Sequence, residues 1–458
     1  MTPSAPGRTT AAGRDSNSRR LLGLMMGLFF AFGFCTVLVD TLIPRLKAIF
    51  SLSYTEVMLT QFCYFLAYFL ISSPAGWLIG KIGYLRAVTV GLLVMVAGCA
   101  LFTPAAHLAS YPAFLGALFV LASGVTIVQV AANPLTANLG DQATSSARLT
   151  LAQAFNSVAT MVGPLFGSAV LLAHGVAAID PHLSGRDLTA ARGDAAASLT
   201  LPYLGIAACL GVLALVCWMA RRWHVAAAAA TGGSFRHLLG NRRLMLGALS
   251  IFAYVGAEVS IGSAMINYLL QEQVLGPRLP AVGEFLGHVA GQMFGGIHPV
   301  SGAQAAADLV SVYWGGAMIG RFIGASVLQR VRPGLVLAVC AIVAALLAAI
   351  SGLNTGAIAA VAILAVGLFN SIQFPAIFTL AIEGLGDDTP EGSGLLCLAI
   401  VGGAVVPLAT GFAADNVGLS LALGVPFVCY LWVATYGMLT ARSAGPARLA
   451  RVTVGSHP

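Results

Sequence analysis

Amides are the residues in this chain whose placement asks for chemistry. Thr126, Gln129 and Asn133 fall at i, i+3 and i+7 inside an apolar stretch, so on a helix they share one face. In the next apolar stretch Gln153 and Asn156 stand three apart and again share a face. Gln61 with Tyr64, and Asn370 with Gln373, repeat the i, i+3 spacing elsewhere. An amide offers donors and acceptors together, which suits a ligand with many hydroxyls. Hydrogen bonding between neighbouring helices is the other use for such residues, and the spacing alone leaves both open.

Two acids also lie within apolar stretches. Asp40 precedes Pro44 by four residues, and a proline there can neither donate to the Asp40 carbonyl nor avoid crowding it. A carboxyl at membrane depth costs about 2.5–3.5 kcal/mol on insertion scales, which makes a functional role the default, and protonation relieves that cost. Asp40 is therefore the candidate proton-coupling residue. Glu258 sits among Gly256, Ser260, Gly262 and Ser263 and can accept from ligand hydroxyls or carry a proton. Asn267 follows nine residues later, on the opposite helix face, and joins the same site only if that helix is broken.

These residues need helices in a bilayer to hold them. The 458 residues are 58% hydrophobic and only 9% charged, against roughly 25% charged in a soluble domain. The 53 glycines favour close helix packing, and the ten-residue alternation of a barrel is absent. Turn and charge boundaries give twelve spans, near 21–49, 55–80, 84–105, 111–138, 148–174, 199–220, 243–271, 304–330, 334–352, 356–384, 392–415 and 418–441. The fold class expected is all-α integral membrane, with two six-helix bundles. Residues 1–18 read as a disordered tail, 19–220 as the first bundle, 221–242 as a linker, 243–441 as the second bundle and 442–458 as a second tail. With both ends inside, 17 of the 23 basic residues fall in cytoplasmic segments, 5 fall outside, and Arg321 lies within a span. The net charge of +7 is thus a matter of orientation and no sign of nucleic-acid binding. All eight cysteines sit in apolar segments and read as small packing residues, not as disulfides or metal ligands.

The halves echo each other. Gly76-x-x-x-Gly80-Lys81 matches Gly316-x-x-x-Gly320-Arg321, and Leu139-Gly140-Asp141 matches Leu385-Gly386-Asp387. Pro164-x-x-Gly167 resembles Pro407-x-x-x-Gly411 in the same order. An internal duplication with polar residues between the halves describes a secondary transporter.

Several motifs together resemble the fucose–glucose/galactose:proton symporter family of the major facilitator superfamily. They include Asp40-Thr41-Leu42-Ile43-Pro44, Gln129-Val130-Ala131-Ala132-Asn133-Pro134, Leu151-Ala152-Gln153-Ala154-Phe155-Asn156-Ser157, Tyr254-Val255-Gly256-Ala257-Glu258-Val259 and Ser371-Ile372-Gln373-Phe374-Pro375. The superfamily's loop acid after span two is missing from Gly80-Lys81-Ile82-Gly83. The resemblance implies proton coupling at Asp40 and a sugar-lining role for Asn156. The fucose members carry a glutamate where this chain has Gln129, which brings it nearer the glucose/galactose branch.

The function expected is proton-coupled uptake of a hexose by alternating access. Gln61, Gln129, Gln153, Asn156, Glu258, Asn267, Asn370 and Gln373 are the sugar-binding candidates. An L-fucose symporter, a sodium-coupled or facilitative sugar carrier, and a lipid or drug efflux carrier are the alternatives. No phosphate-cradling loop and no nucleophile–base or metal pairing stands within the spans, so neither an enzyme nor a cofactor is expected. The expected setting is the bacterial inner membrane, multi-pass, with both termini cytoplasmic and the chain a monomer.

Overall fold

The computed structural model describes residues 11–50, 52, 54–171, 185–197, 199–221, 235–279, 281 and 302–443. Residues 1–10, most of the linker at 222–234 and the end at 444–458 lie outside them. Among the described residues every regular element is helical.

The first half contains α1 (Ala11–Phe50), α2 (Tyr54–Ile82), α3 (Tyr84–His107), α4 (Tyr111–Asn138), α5 (Ser145–Leu171) and α6 (Thr200–Ala220). The second half contains α7 (Arg242–Leu269), α8 (Gly302–Val327), α9 (Pro333–Leu353) and α10, which is split into Gly356–Asn370 and Gln373–Ile382. It continues with α11, split into Thr389–Leu398 and Gly402–Val417, and ends with α12 (Gly424–Ser443). α1 starts at Ala11, within the stretch read as a disordered tail. A helix already formed by the span extends readily through Ala11 and Ala12. A further helix, Gly185–Ala197, lies in the long connection before α6.

Among the described residues, ten of these helices are long and apolar enough to cross a membrane. α5, with Gln153, Asn156 and Ser157, and α8, with Asp308 and Arg321, complete the twelve. Large apolar side chains such as Leu201, Leu408 and Phe412 are exposed around the outside, as a lipid-facing surface requires.

The duplication inferred from the motifs reappears in the packing. α1 packs on α5 as α7 packs on α11, and α3 on α4 as α9 on α10. α2 packs on α4 as α8 on α10, and α3 on α6 as α9 on α12. The two Leu-Gly-Asp echoes behave alike as well. Gly140 and Gly386 both take positive φ, at 137° and 54°, and each precedes or opens a single 3-10 turn.

The halves meet along a seam at the end of the bundle that carries Lys81 and Arg148. There α2 and α4 pack against the first piece of α11, and α5 packs against α8 and α10. A Cβ on Gly76 would come 2.8 Å from the Pro390 carbonyl, and one on Gly394 would come 2.7 Å from that of Ser72. Only glycine admits backbones this close.

Candidate functional site

Two prolines prepare the seam. Pro134 has no N–H for the carbonyl of Val130, four residues back in α4. Ser393 of α11 supplies the missing donor: its Oγ gives a hydrogen bond to that carbonyl at 2.7 Å, in full burial. Pro375 likewise has no N–H for Ser371, at the break between the two pieces of α10. The freed carbonyl accepts from Arg321 Nε of α8 at 3.2 Å. The same guanidinium crosses to the first half. Its Nη1 donates to Ser157 Oγ and, at 3.4 Å, to the Gln153 carbonyl of α5. Ser146 and Thr379 add a buried hydroxyl pair at 2.5 Å between α5 and α10. Neither proline-freed carbonyl was legible as a site feature before its partner was seen.

On the first half, Gln153 and Asn156 come together on α5 beside α1. Asn156 Nδ2 donates to the Phe29 carbonyl at 3.2 Å. Its amide lies where any side chain on Gly33 would fall, so that glycine makes the room. On α4, Thr126 and Asn133 are fully buried, and Thr126 Oγ1 bonds back to the Ala122 carbonyl at 2.8 Å. Gln129 alone of that stripe keeps some exposure, and its Oε1 accepts no hydrogen bond among the described residues. Thr36 of α1 and Tyr64 of α2 join hydroxyls at 2.9 Å, with Tyr68 beyond at 3.3 Å. Asp40 lies on α1, which continues through Pro44, and Gln61 lies on α2. The side chains of both are outside the described residues.

On the second half, the Tyr254 hydroxyl donates to Glu258 Oε1 at 2.8 Å, one turn along α7. Glu258 is half-buried and makes no ion pair within 4 Å among the described residues. Arg321, Tyr313 and Tyr254 all lie within its electrostatic range. Asn370 is fully buried; its Nδ2 donates to the Tyr313 hydroxyl at 2.8 Å, and its Oδ1 accepts from Gln373 Nε2 at 3.3 Å. Gln373 also donates to the Phe369 carbonyl at 3.2 Å, while its Oε1 is buried without a partner among the described residues. Asn370 and Gln373 flank the break in α10 and do not ride on one continuous helix as their spacing suggested.

Asn267 does not join them. α7 is unbroken from Arg242 to Leu269, so Asn267 keeps the opposite face from Glu258 and is exposed. The reading missed Tyr254, Tyr313 and Arg321. Tyr254 could have been found one turn before Glu258. Arg321 was visible as a cation within a span, though its role across the seam was not.

A family profile described as "Major Facilitator Superfamily" matches residues 24–405, most of the chain. The chain belongs to the major facilitator superfamily. Within the superfamily it is 45% identical over 422 residues to a glucose/galactose transporter of Brucella abortus strain 9-941, covering 91% of this chain and 93% of that one. It is 31% identical over 432 residues to the L-fucose-proton symporter of Escherichia coli K12, covering 92% and 93%. Among solved structures it superposes on the major facilitator transporter FucP in the outward conformation with a TM-score of 0.78. The identity there is 29%, over 93% of this chain and 99% of that one. The expected twelve-helix fold is thus borne out.

Proposed function

We propose that this protein is a proton-coupled hexose carrier of the glucose/galactose type, working by alternating access. The observation that carries the reading is the pairing of two polar clusters across a seam closed at one end. Gln129, Gln153 and Asn156 stand on one side, with Glu258, Asn370 and Gln373 on the other. The names of the Brucella and E. coli relatives support a sugar and a proton as the transported species.

In this reading the termini, Lys81 and Arg148 are cytoplasmic and the membrane is the bacterial inner membrane. The closed seam is then the inner gate, and the state is outward-facing. Hydroxyls of the sugar take the unpartnered acceptors of Gln129 and Gln373, buried in this state, and the carboxylate of Glu258. Asn156 orients the ring from α5. Arg321 keeps the inner gate shut by tying α8 to α5, and its charge balances Glu258. Asp40 takes a proton from the outside, and its neutral form lowers the cost of the inward switch. The monomer suffices, since both clusters belong to one chain.

Sugar-driven pH change in proteoliposomes tests this, with glucose, galactose and L-fucose each supplied at fixed sodium. Alkalinisation outside with glucose or galactose, lost in Asp40→Asn while sugar exchange persists, is the expected result. Sugar uptake without proton movement would replace proton coupling with sodium coupling or facilitation. Alkalinisation with L-fucose alone would move the substrate to the fucose branch. No response to any of the three would return the reading to an efflux carrier.

A further inference from the structure

A crevice of about 370 Å³ opens between α8, α9 and α10, on the outside of the second half. Its lining is almost wholly apolar, with Ile323 and Val327 from α8, Leu335 and Val339 from α9, and Leu368 and Ile372 from α10. Ile323, Leu335 and Val339 are each more than half exposed, so the crevice faces the bilayer and not the space between the halves. Val331 also lines it, and its chain neighbours are Arg330 and Arg332. Both arginines are exposed, and neither pairs with an acid among the described residues. Arg332 precedes Pro333 at the start of α9.

We propose that this crevice holds one acyl chain of an anionic phospholipid from the surrounding bilayer, with its phosphate on Arg330 and Arg332. The groove's exposed lining is almost wholly apolar, which suits hydrocarbon. A lipid tail leaving other lipid tails gains only packing, since both settings are equally apolar. Selection must therefore come from the headgroup, through two cations at the surface.

The crevice is also connected to the seam. Gly320, Gly324 and Ser371 form its floor. Arg321 stands between the two glycines and bonds the Ser371 carbonyl at 3.2 Å. Gly324 faces Ile372 on α10, and a Cβ there would also come 3.8 Å from Thr150 of α5. A chain in the crevice backs the contact of α8 with α10, which holds the arginine toward the first half. Lipid binding should thus favour the closed seam.

Native mass spectrometry of the full chain in detergent tests the site, with dioleoyl phosphatidylglycerol and dioleoyl phosphatidylcholine supplied in equal amounts. Each arginine near an anionic surface is worth about five-fold, so the wild type should retain one phosphatidylglycerol with roughly 30-fold preference. Arg330→Gln with Arg332→Gln should reduce that preference to about one. Val339→Trp, which fills the crevice from α9, should abolish retention of either lipid. Raised ionic strength should weaken the preference in the wild type. Equal retention of the two lipids by the wild type would overturn the proposal, as would a preference that survives the double glutamine variant. Retention undiminished in Val339→Trp would place the lipid elsewhere. The double glutamine variant changes only exposed side chains, so the charge arm remains decisive if the tryptophan variant fails to fold. No sugar enters the experiment, so its outcome is independent of the transport reading.

Discussion

The bond from Ser393 to the Val130 carbonyl exists because Pro134 leaves that carbonyl free, and this gives a test of how the seam is held. In Ser393→Ala the carbonyl is buried and loses the one side-chain donor it has among the described residues. A buried acceptor stripped of its partner costs about 1–3 kcal/mol. When the halves part, the carbonyl meets water, so the cost falls on the closed seam alone. Taking roughly 2 kcal/mol, the ratio of closed to open forms should fall about 30-fold. In Pro134→Ala, position 134 regains an N–H for Val130, so the carbonyl is satisfied within α4 whether the seam is open or closed. Ser393→Ala should then cost little on the Pro134→Ala background, and the coupling between the two sites should be close to the single-site effect. Spin labels at the exposed positions Gln142 and Gln329 report the separation of α5 from α8, and their distance distribution gives the populations directly. A Ser393→Ala shift of the same size with and without Pro134 would refute the reasoning. The carbonyl would then not be what the serine serves.

Arg321→Met removes three hydrogen bonds, two of them across the seam, and charge-assisted bonds contribute about 1.5–3 kcal/mol each. It should open the seam by at least 100-fold in the same spin-label measurement, with Arg321→Lys intermediate because an ammonium lacks the planar fork. Tyr254→Phe withdraws the 2.8 Å donor from Glu258 and should weaken sugar binding by about five- to ten-fold in calorimetry if Glu258 contacts the sugar. Gly394→Val would drive side-chain carbons into the Ser72 carbonyl and should abolish uptake by preventing closure, while the purified protein keeps its helical circular dichroism. Tyr268→Phe breaks the buried pair with Ser351, at 2.6 and 2.8 Å, away from the amide cluster proposed to bind sugar. It should lower the melting temperature and leave sugar affinity unchanged.

The span count, the duplication and most of the amide cluster could be read from the chain, because each rests on a local pattern. Apolar length marks a span, and an amide within it stands out against its neighbours. What escaped depends on groups far apart in sequence. Val130 and Ser393 are 263 positions apart, and Arg321 and Ser157 are 164 apart. The break in α10 was also hidden, although Pro375 marked the place, because proline in a membrane helix is compatible with either a bend or an interruption. Asn267 was set aside by the continuity of α7, which its glycines and serines left open. α5, which carries Gln153, Asn156 and Ser157, and α8, which carries Arg321, are the helices joined by that arginine at the seam. Their polarity is a cost in the bilayer that the seam offsets only when the halves meet there. The polar residues that these two spans carry are thus the ones that let the halves hold together at the seam and part from it.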